Sequence, residues 1–303
     1  MSAETITPDT QHRSLAERLP QPFRDYALLA RFDRPIGFWL LFWPCAWGLW
    51  LTGAGAQWLL VAWFFLGAIA MRSAGCVYND IIDHNLDRSV ARTANRPIAS
   101  GRVSVRAAWV WLVALCLVGL LVLLQLRPTA QVVALGSLAL VAAYPFMKRI
   151  TWWPQAWLGL VFNWGVLVGW TSMREDNLVV MLALYAGAAF WTVGYDTIYA
   201  LQDREDDALV GIKSSALRLG GRVKSGVAAF YALALASWLL AFWLLRGDLL
   251  ALLALAPAAV HLSWQVATLD PGDPDNPLAR FRSNRMAGAL VAAACFIVGN
   301  AGA

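Results

Sequence analysis

The sequence predicts an all-α polytopic membrane protein with nine transmembrane helices. Composition, the spacing of apolar stretches and the placement of basic residues all point there. Of 303 residues, 59% are hydrophobic and only 14% charged, and the mean hydropathy is +0.56. Soluble domains carry about 25% charged residues, so most of this surface is built for lipid. Apolar stretches long enough to cross a bilayer as helices lie at 37–56, 58–78, 107–126, 129–147, 155–173, 178–200, 227–245, 248–269 and 286–302. Twenty of the 24 Lys and Arg fall in the N-terminal segment and in alternate loops after it. Only Arg127, Arg174 and Arg246 fall in the other loops, and Arg72 lies inside a span. The positive-inside rule then predicts a cytoplasmic N-terminus.

The elements follow in order. Residues 1–20 are polar, without the apolar core or cleavage site of a signal peptide, and read as a disordered cytoplasmic tail. Residues 21–303 read as one intramembrane domain. Residues 21–34 have the mixed pattern of an interfacial amphipathic helix, and Pro35 and Gly37 mark the turn into the first span. The 17 Trp, many near span ends, fit an interfacial belt. The loops on the Lys/Arg-poor side are too short for a further domain. Cys45, Cys76, Cys116 and Cys295 are scattered through apolar stretches, with neither metal-ligand spacing nor a disulfide pattern. The net charge of +5 sits in loops on one side of a membrane, which argues against a nucleic-acid partner. Nothing points to a protein partner.

Two acid-rich segments stand at the ends of the second and sixth spans, on the basic side. Asn79, Asp83 and Asp87 are spaced i, i+4, i+8, so a helix stacks them on one face. Asp80 is ambiguous, since its spacing also brings it near Asp83 and Asp87. In the second segment Asp196, Asp203 and Asp207 keep to one face at steps of seven and four. An ionised Asp at mid-bilayer costs about 2.5–3.5 kcal/mol, so repeated acids beside spans call for a compensating cation. Pairing of the first acids with Arg88, Arg92 and Arg96 is one source. The other is Mg²⁺, which prefers carboxylate and amide oxygens and usually arrives with substrate phosphates. Two such faces favour Mg²⁺ and diphosphate chemistry.

Candidate cations accompany them. Lys148 and Arg149, after Tyr144 at the end of the fourth span, are ordinary membrane anchors or grips for diphosphate or carboxylate oxygens. Lys213 is a weaker candidate for a phosphate. Arg72 lies within the second span, two helical turns before Asn79, and needs a partner. Arg34 stands where the first span begins.

Asn79-x3-Asp83-x3-Asp87, Tyr144-x3-Lys148 and Asp203-x3-Asp207 resemble the signature set of the UbiA superfamily of intramembrane prenyltransferases. Arg72–Asp80, Arg92–Pro97, Tyr144–Arg149, Gly194–Ala200 and Asp33–Gly37 resemble its bacterial branch that acts on 4-hydroxybenzoate. The resemblance runs from about residue 27 to 300. It implies nine helices around a central cavity, cytoplasmic cap loops and a bacterial inner membrane. It also implies Mg²⁺-assisted transfer from polyprenyl diphosphate to 4-hydroxybenzoate in ubiquinone synthesis, without a protein nucleophile. Asn79, Asp83, Asp87, Asp203 and Asp207 would hold the metal. Lys148 and Arg149 would assist the chemistry, and Arg72, Arg34, Tyr144, Asp196 and Lys213 would contact substrate. A cation-coupled transporter would place its acids nearer mid-membrane. The nearer rival is a sister prenyltransferase with another acceptor.

Overall fold

A computed structural model of the chain describes residues 18–21, 23–88, 93–202, 204, 211 and 213–301. The expected tail lies, through residue 17, outside them. Among the described residues the regular structure is all helical. The helices are α1 (Phe23–Leu29), α2 (Ile36–Leu51), α3 (Trp58–Asp87), α4 (Val105–Leu123), α5 (Pro128–Ile150) and α6 (Pro154–Thr171). There follow α7 (Leu178–Tyr199), α8 (Ser215–Leu219), α9 (Val223–Arg246), α10 (Leu249–Leu253), α11 (Ala256–Thr268) and α12 (Asn276–Asn300).

Local chemistry sets many of the boundaries. Pro opens α5 and α6, where its missing N–H has no helical partner to lose. Ser104, Ser214 and Asp248 cap α4, α8 and α10, each accepting a backbone N–H. Gly247 ends α9 in the left-handed conformation that glycine adopts most readily.

Among the described residues seven helical stretches are long and apolar enough to cross a membrane: Trp58–Asp87, Val105–Leu123, Pro128–Met147, Leu178–Tyr199, Ser215–Arg246, Leu249–Thr268 and Asn276–Asn300. The sequence led us to expect nine. The other two expected spans fall on α2, with 16 residues, and α6, with 18. Sixteen residues rise only about 24 Å, short of a ~30 Å hydrocarbon layer. In α6 the apolar run is broken by Gln155 and Asn163, both buried. The eighth apolar stretch is divided between α10 and α11.

With 30 residues, α3 is the longest unbroken α-helix among the described residues. About 20 residues suffice to span, so the last two turns, from Asn79 onward, extend the helix past that length. The acids therefore need not sit at mid-bilayer.

The chain divides into two compact units, one of residues 1–39 and 63–125, the other of 40–62 and 126–303. In the first, Leu29, Ala74, Val77, Ile81, Ile98, Val103, Ala108, Leu112 and Leu115 form one apolar core. That core joins α1, α3, α4 and the segment between the last two.

In the second unit Trp47, Trp191 and Trp238 are fully buried, with Trp47 5.1 and 5.4 Å from the other two rings. Gly187 makes room for Trp238, because a Cβ there would stand 2.5 Å from its Nε1. Small residues permit such approach where lipid gives helices no hydrophobic drive to associate. Polar bonds tie the same region together. Trp191 Nε1 donates to Asn284 Oδ1 at 2.8 Å, and Asn284 Nδ2 to Gln265 Oε1 at 3.3 Å. Tyr231 donates its hydroxyl to the same Gln265 oxygen at 2.7 Å. Asn284→Ala should cost about 1–3 kcal/mol, since it leaves the buried Trp191 N–H without its acceptor. Thermal unfolding in detergent reads this as a lowered midpoint; an unchanged midpoint would show that the network adds no stability.

Candidate active site

The acidic end of α3 is built within the first unit. The helix runs unbroken through Asp87, so Asn79, Asp83 and Asp87 share a face as their spacing requires. Asp83 is 1% exposed and Asp87 6%, while Asn79 is half-buried. Asp80 is equally buried and has a different environment. Arg31 Nη2 donates to both of its carboxylate oxygens at 2.8 Å. Arg96 Nη1 reaches Asp80 at 3.1 Å and Asp87 at 2.8 Å, bridging the two acids.

Arg31 holds an unusual backbone. Its φ is 61°, at the position after a helix end where glycine is the usual residue. Arg31 N donates to Leu28 O and Phe32 N to Ala27 O, the paired bonds that close such an end. A non-glycine residue there costs roughly 1–2 kcal/mol. The side chain offsets this, donating to Leu28 O as well as to Asp80. Burial alone would lower the Arg31 pKa, but Asp80 and then Asp33 raise it above the ordinary value, so the guanidinium is a fixed cation.

The segment after α3 places Arg96. Thr93 Oγ1 donates to Asp87 O at 2.9 Å, and Arg96 N to Thr93 O at 2.9 Å. Ile98 and Val103 enter the apolar core. Arg102 closes the segment onto α1, donating to Asp25 at 3.0 Å and to Asn95 O at 2.8 Å. The ion-pair alternative is thus realised by Arg96, while Arg88 donates instead to Ala99 O. Arg92 lies outside the described residues.

Two candidate cations also belong to this unit. Arg34 Nε donates to Asp33, itself fully buried, at 3.0 Å. Arg72 lies on α3, seven residues or about 10 Å before Asn79. Its guanidinium rests against Gly37.

In the second unit Tyr144, Lys148 and Arg149 lie on α5, where Pro145 interrupts the helical hydrogen bonding. Tyr144 is half-buried and Arg149 exposed; the Lys148 side chain is outside the described set. Asp196 is half-buried near the end of α7. Asp203 and Asp207 both lie outside the described residues. Lys213 is turned toward the end of α5: Nζ donates to Ile150 O at 3.2 Å and stands 5.8 Å from the Trp152 ring centre. Ser215 is held by Gln155, which accepts its N–H at 3.0 Å, and by Thr197, 2.7 Å away.

Among the described residues no three His, Cys, Asp or Glu are grouped to hold a metal ion. The chemistry of the α3 donors suits Mg²⁺ nonetheless, since Asp83 and Asp87 are hard, buried oxygens one turn apart. Sequence reading missed Arg31 and the bridging role of Arg96. No sequence signal marked Arg31, because residues 21–34 read as one helix whereas α1 ends at Leu29.

The fold and this site define a helical protein with stretches long enough to span a membrane and with buried carboxylates held by arginines at one helix end. Residues 41–293 match the UbiA prenyltransferase family. The chain belongs to that family. It is 42% identical, over 92% of its length and 71% of the relative's, to the mitochondrial 4-hydroxybenzoate polyprenyltransferase of Drosophila pseudoobscura pseudoobscura. Among solved structures it resembles the apo UbiA homolog of Aeropyrum pernix K1, with a TM-score of 0.70 and 25% identity over 86% of this chain and 97% of that one. It shares its fold with a UbiA homolog from Archaeoglobus fulgidus bound to GPP and Mg²⁺, with a TM-score of 0.67 and 19% identity over 91% and 99%. The expected bacterial inner membrane is corrected: the curated relatives are mitochondrial enzymes of eukaryotes. The spacing of acids and spans along a chain carries no address for one membrane rather than another.

Proposed function

We propose that the chain transfers a polyprenyl group from polyprenyl diphosphate to the ring carbon ortho to the phenol of 4-hydroxybenzoate, in ubiquinone synthesis, with Mg²⁺. The observation that carries this reading is 42% identity to a 4-hydroxybenzoate polyprenyltransferase across 92% of the chain. The buried acids of α3 supply chemistry that fits it. Nine spans around a cavity with cap loops, formed by residues 21–303 as one catalytic domain, complete the architecture proposed.

Asp83 and Asp87, with Asn79 as a neutral oxygen and Asp203 and Asp207 from the second acidic segment, are the proposed metal ligands. When bound, Mg²⁺ neutralises the diphosphate as a leaving group. Lys148, Arg149 and Lys213 add positive charge around the departing oxygens. The allylic C–O bond breaks with its electron pair going to the diphosphate, the ring carbon attacks the allylic cation, and the ring proton leaves. Asp196 and a metal-ligating Asp are the two proposed proton acceptors, and Tyr144 contacts the substrate. A lipid-walled site excludes the water that would quench the cation.

4-Hydroxybenzoate is a carboxylate at neutral pH, and burying it without a cation is costly. Arg72 and Arg34 are the proposed partners. Competition among 4-hydroxybenzoate and the acceptors of menaquinone, haem and chlorophyll synthesis tests the assignment. The expected outcome is prenylated 4-hydroxybenzoate as the dominant product. Preference for another acceptor would make the chain a sister prenyltransferase instead.

A further inference from the structure

We propose that Gly37 is a positioning residue for the acceptor, acting through Arg72; this rests on the reading that Arg72 pairs with the acceptor carboxylate. Gly37 is the second residue of α2 and is buried. Glycine inside a helix is destabilising by roughly 0.5–1 kcal/mol relative to alanine, so its presence asks for a reason. Backbone conformation does not supply one, because Gly37 is not among the glycines of positive φ.

Packing does. A Cβ on Gly37 would stand 2.5 Å from Arg72 Nε and 3.1 Å from both Cζ and Nη2. Those three nearest atoms all belong to one guanidinium, which meets the bare glycine nearest its Nε edge. On the α2 side the seat is helical backbone, which a Cβ at position 37 extends toward the guanidinium. The guanidinium is the far end of a flexible side chain. A methyl group at position 37 therefore re-aims Arg72 rather than breaking the helix pair. Gly37 is thus required for where the charge points, and α2 would form as well or better without it.

Gly37→Ala separates these roles. The expected result is a KM for 4-hydroxybenzoate raised about ten-fold, with the KM for polyprenyl diphosphate unchanged, as for loss of an acceptor contact. The thermal midpoint in detergent should equal or exceed that of the wild type. In a double-mutant cycle, Gly37→Ala should add nothing to Arg72→Ala, since the group it displaces is gone. If Arg72→Ala raises the acceptor KM while Gly37→Ala does not, or if the two effects are additive, the positioning role is wrong and the Arg72 contact stands. If Arg72→Ala itself leaves the acceptor KM unchanged, the Arg72 contact is wrong and the role of Gly37 falls with it.

Discussion

Asp83→Asn is expected to leave the protein folded and nearly without transfer activity. The amide matches the carboxylate in shape, so the packing around this buried position survives. It removes the negative charge that draws the metal into the proposed ligand set. Even groups one step removed from a metal ligand are worth about 10–100-fold, so a proposed direct ligand should cost roughly 100-fold or more. Transfer rates across a range of Mg²⁺ concentrations, beside a thermal melt in detergent, read the two effects separately. Near-normal rates at low Mg²⁺ would remove Asp83 from the ligand set.

Asp80, one turn away, should behave in the opposite sense. It is 1% exposed and holds Arg31 through both oxygens and Arg96 through one. Asp80→Ala leaves Arg31 largely buried without this carboxylate and Arg96 with Asp87 as its acid partner among the described residues. Breaking a buried pair from one side costs about 3–5 kcal/mol, because the remaining charge loses its compensation. The strained left-handed Arg31 also loses the contact that offsets its backbone. The expected result is a protein that melts well below the wild type or fails to accumulate. A variant with normal stability and a changed Mg²⁺ requirement would instead make Asp80 a ligand.

The contrast between these two aspartates marks what could be read from the chain. Helix periodicity put Asn79, Asp83 and Asp87 on one face, and α3 keeps them there because it continues past the membrane-spanning length. Periodicity left Asp80 ambiguous. Its environment is set by Arg31, 49 residues away, and by the folded segment that carries Arg96. Spacing within one element carries no such information. The seat of Arg72 on Gly37 is hidden for the same reason, since it joins two helices through shape alone. Apolar length located the helices well, yet α2 stops at Leu51 where apolar sequence runs on to 56, and one stretch breaks into α10 and α11. Gly53 with its φ of 87° lies in the turn that follows α2, and Pro257 lies at the first turn of α11. Composition measures hydrophobicity and misses such backbone stops.

Metal-dependent carbon prenylation of one aromatic acid is the activity proposed for the chain. The most direct measurement is product analysis of the purified wild-type chain in detergent, given polyprenyl diphosphate and 4-hydroxybenzoate. The protein is first stripped with EDTA, and Mg²⁺ is then restored. No product is expected in the stripped sample. After restoration the expected product is 4-hydroxybenzoate carrying the prenyl group on the carbon ortho to the phenol, with one diphosphate released per transfer. Undiminished product without the metal, or no ring-prenylated product with it, would show that the chain is not a metal-dependent prenyltransferase of this acid.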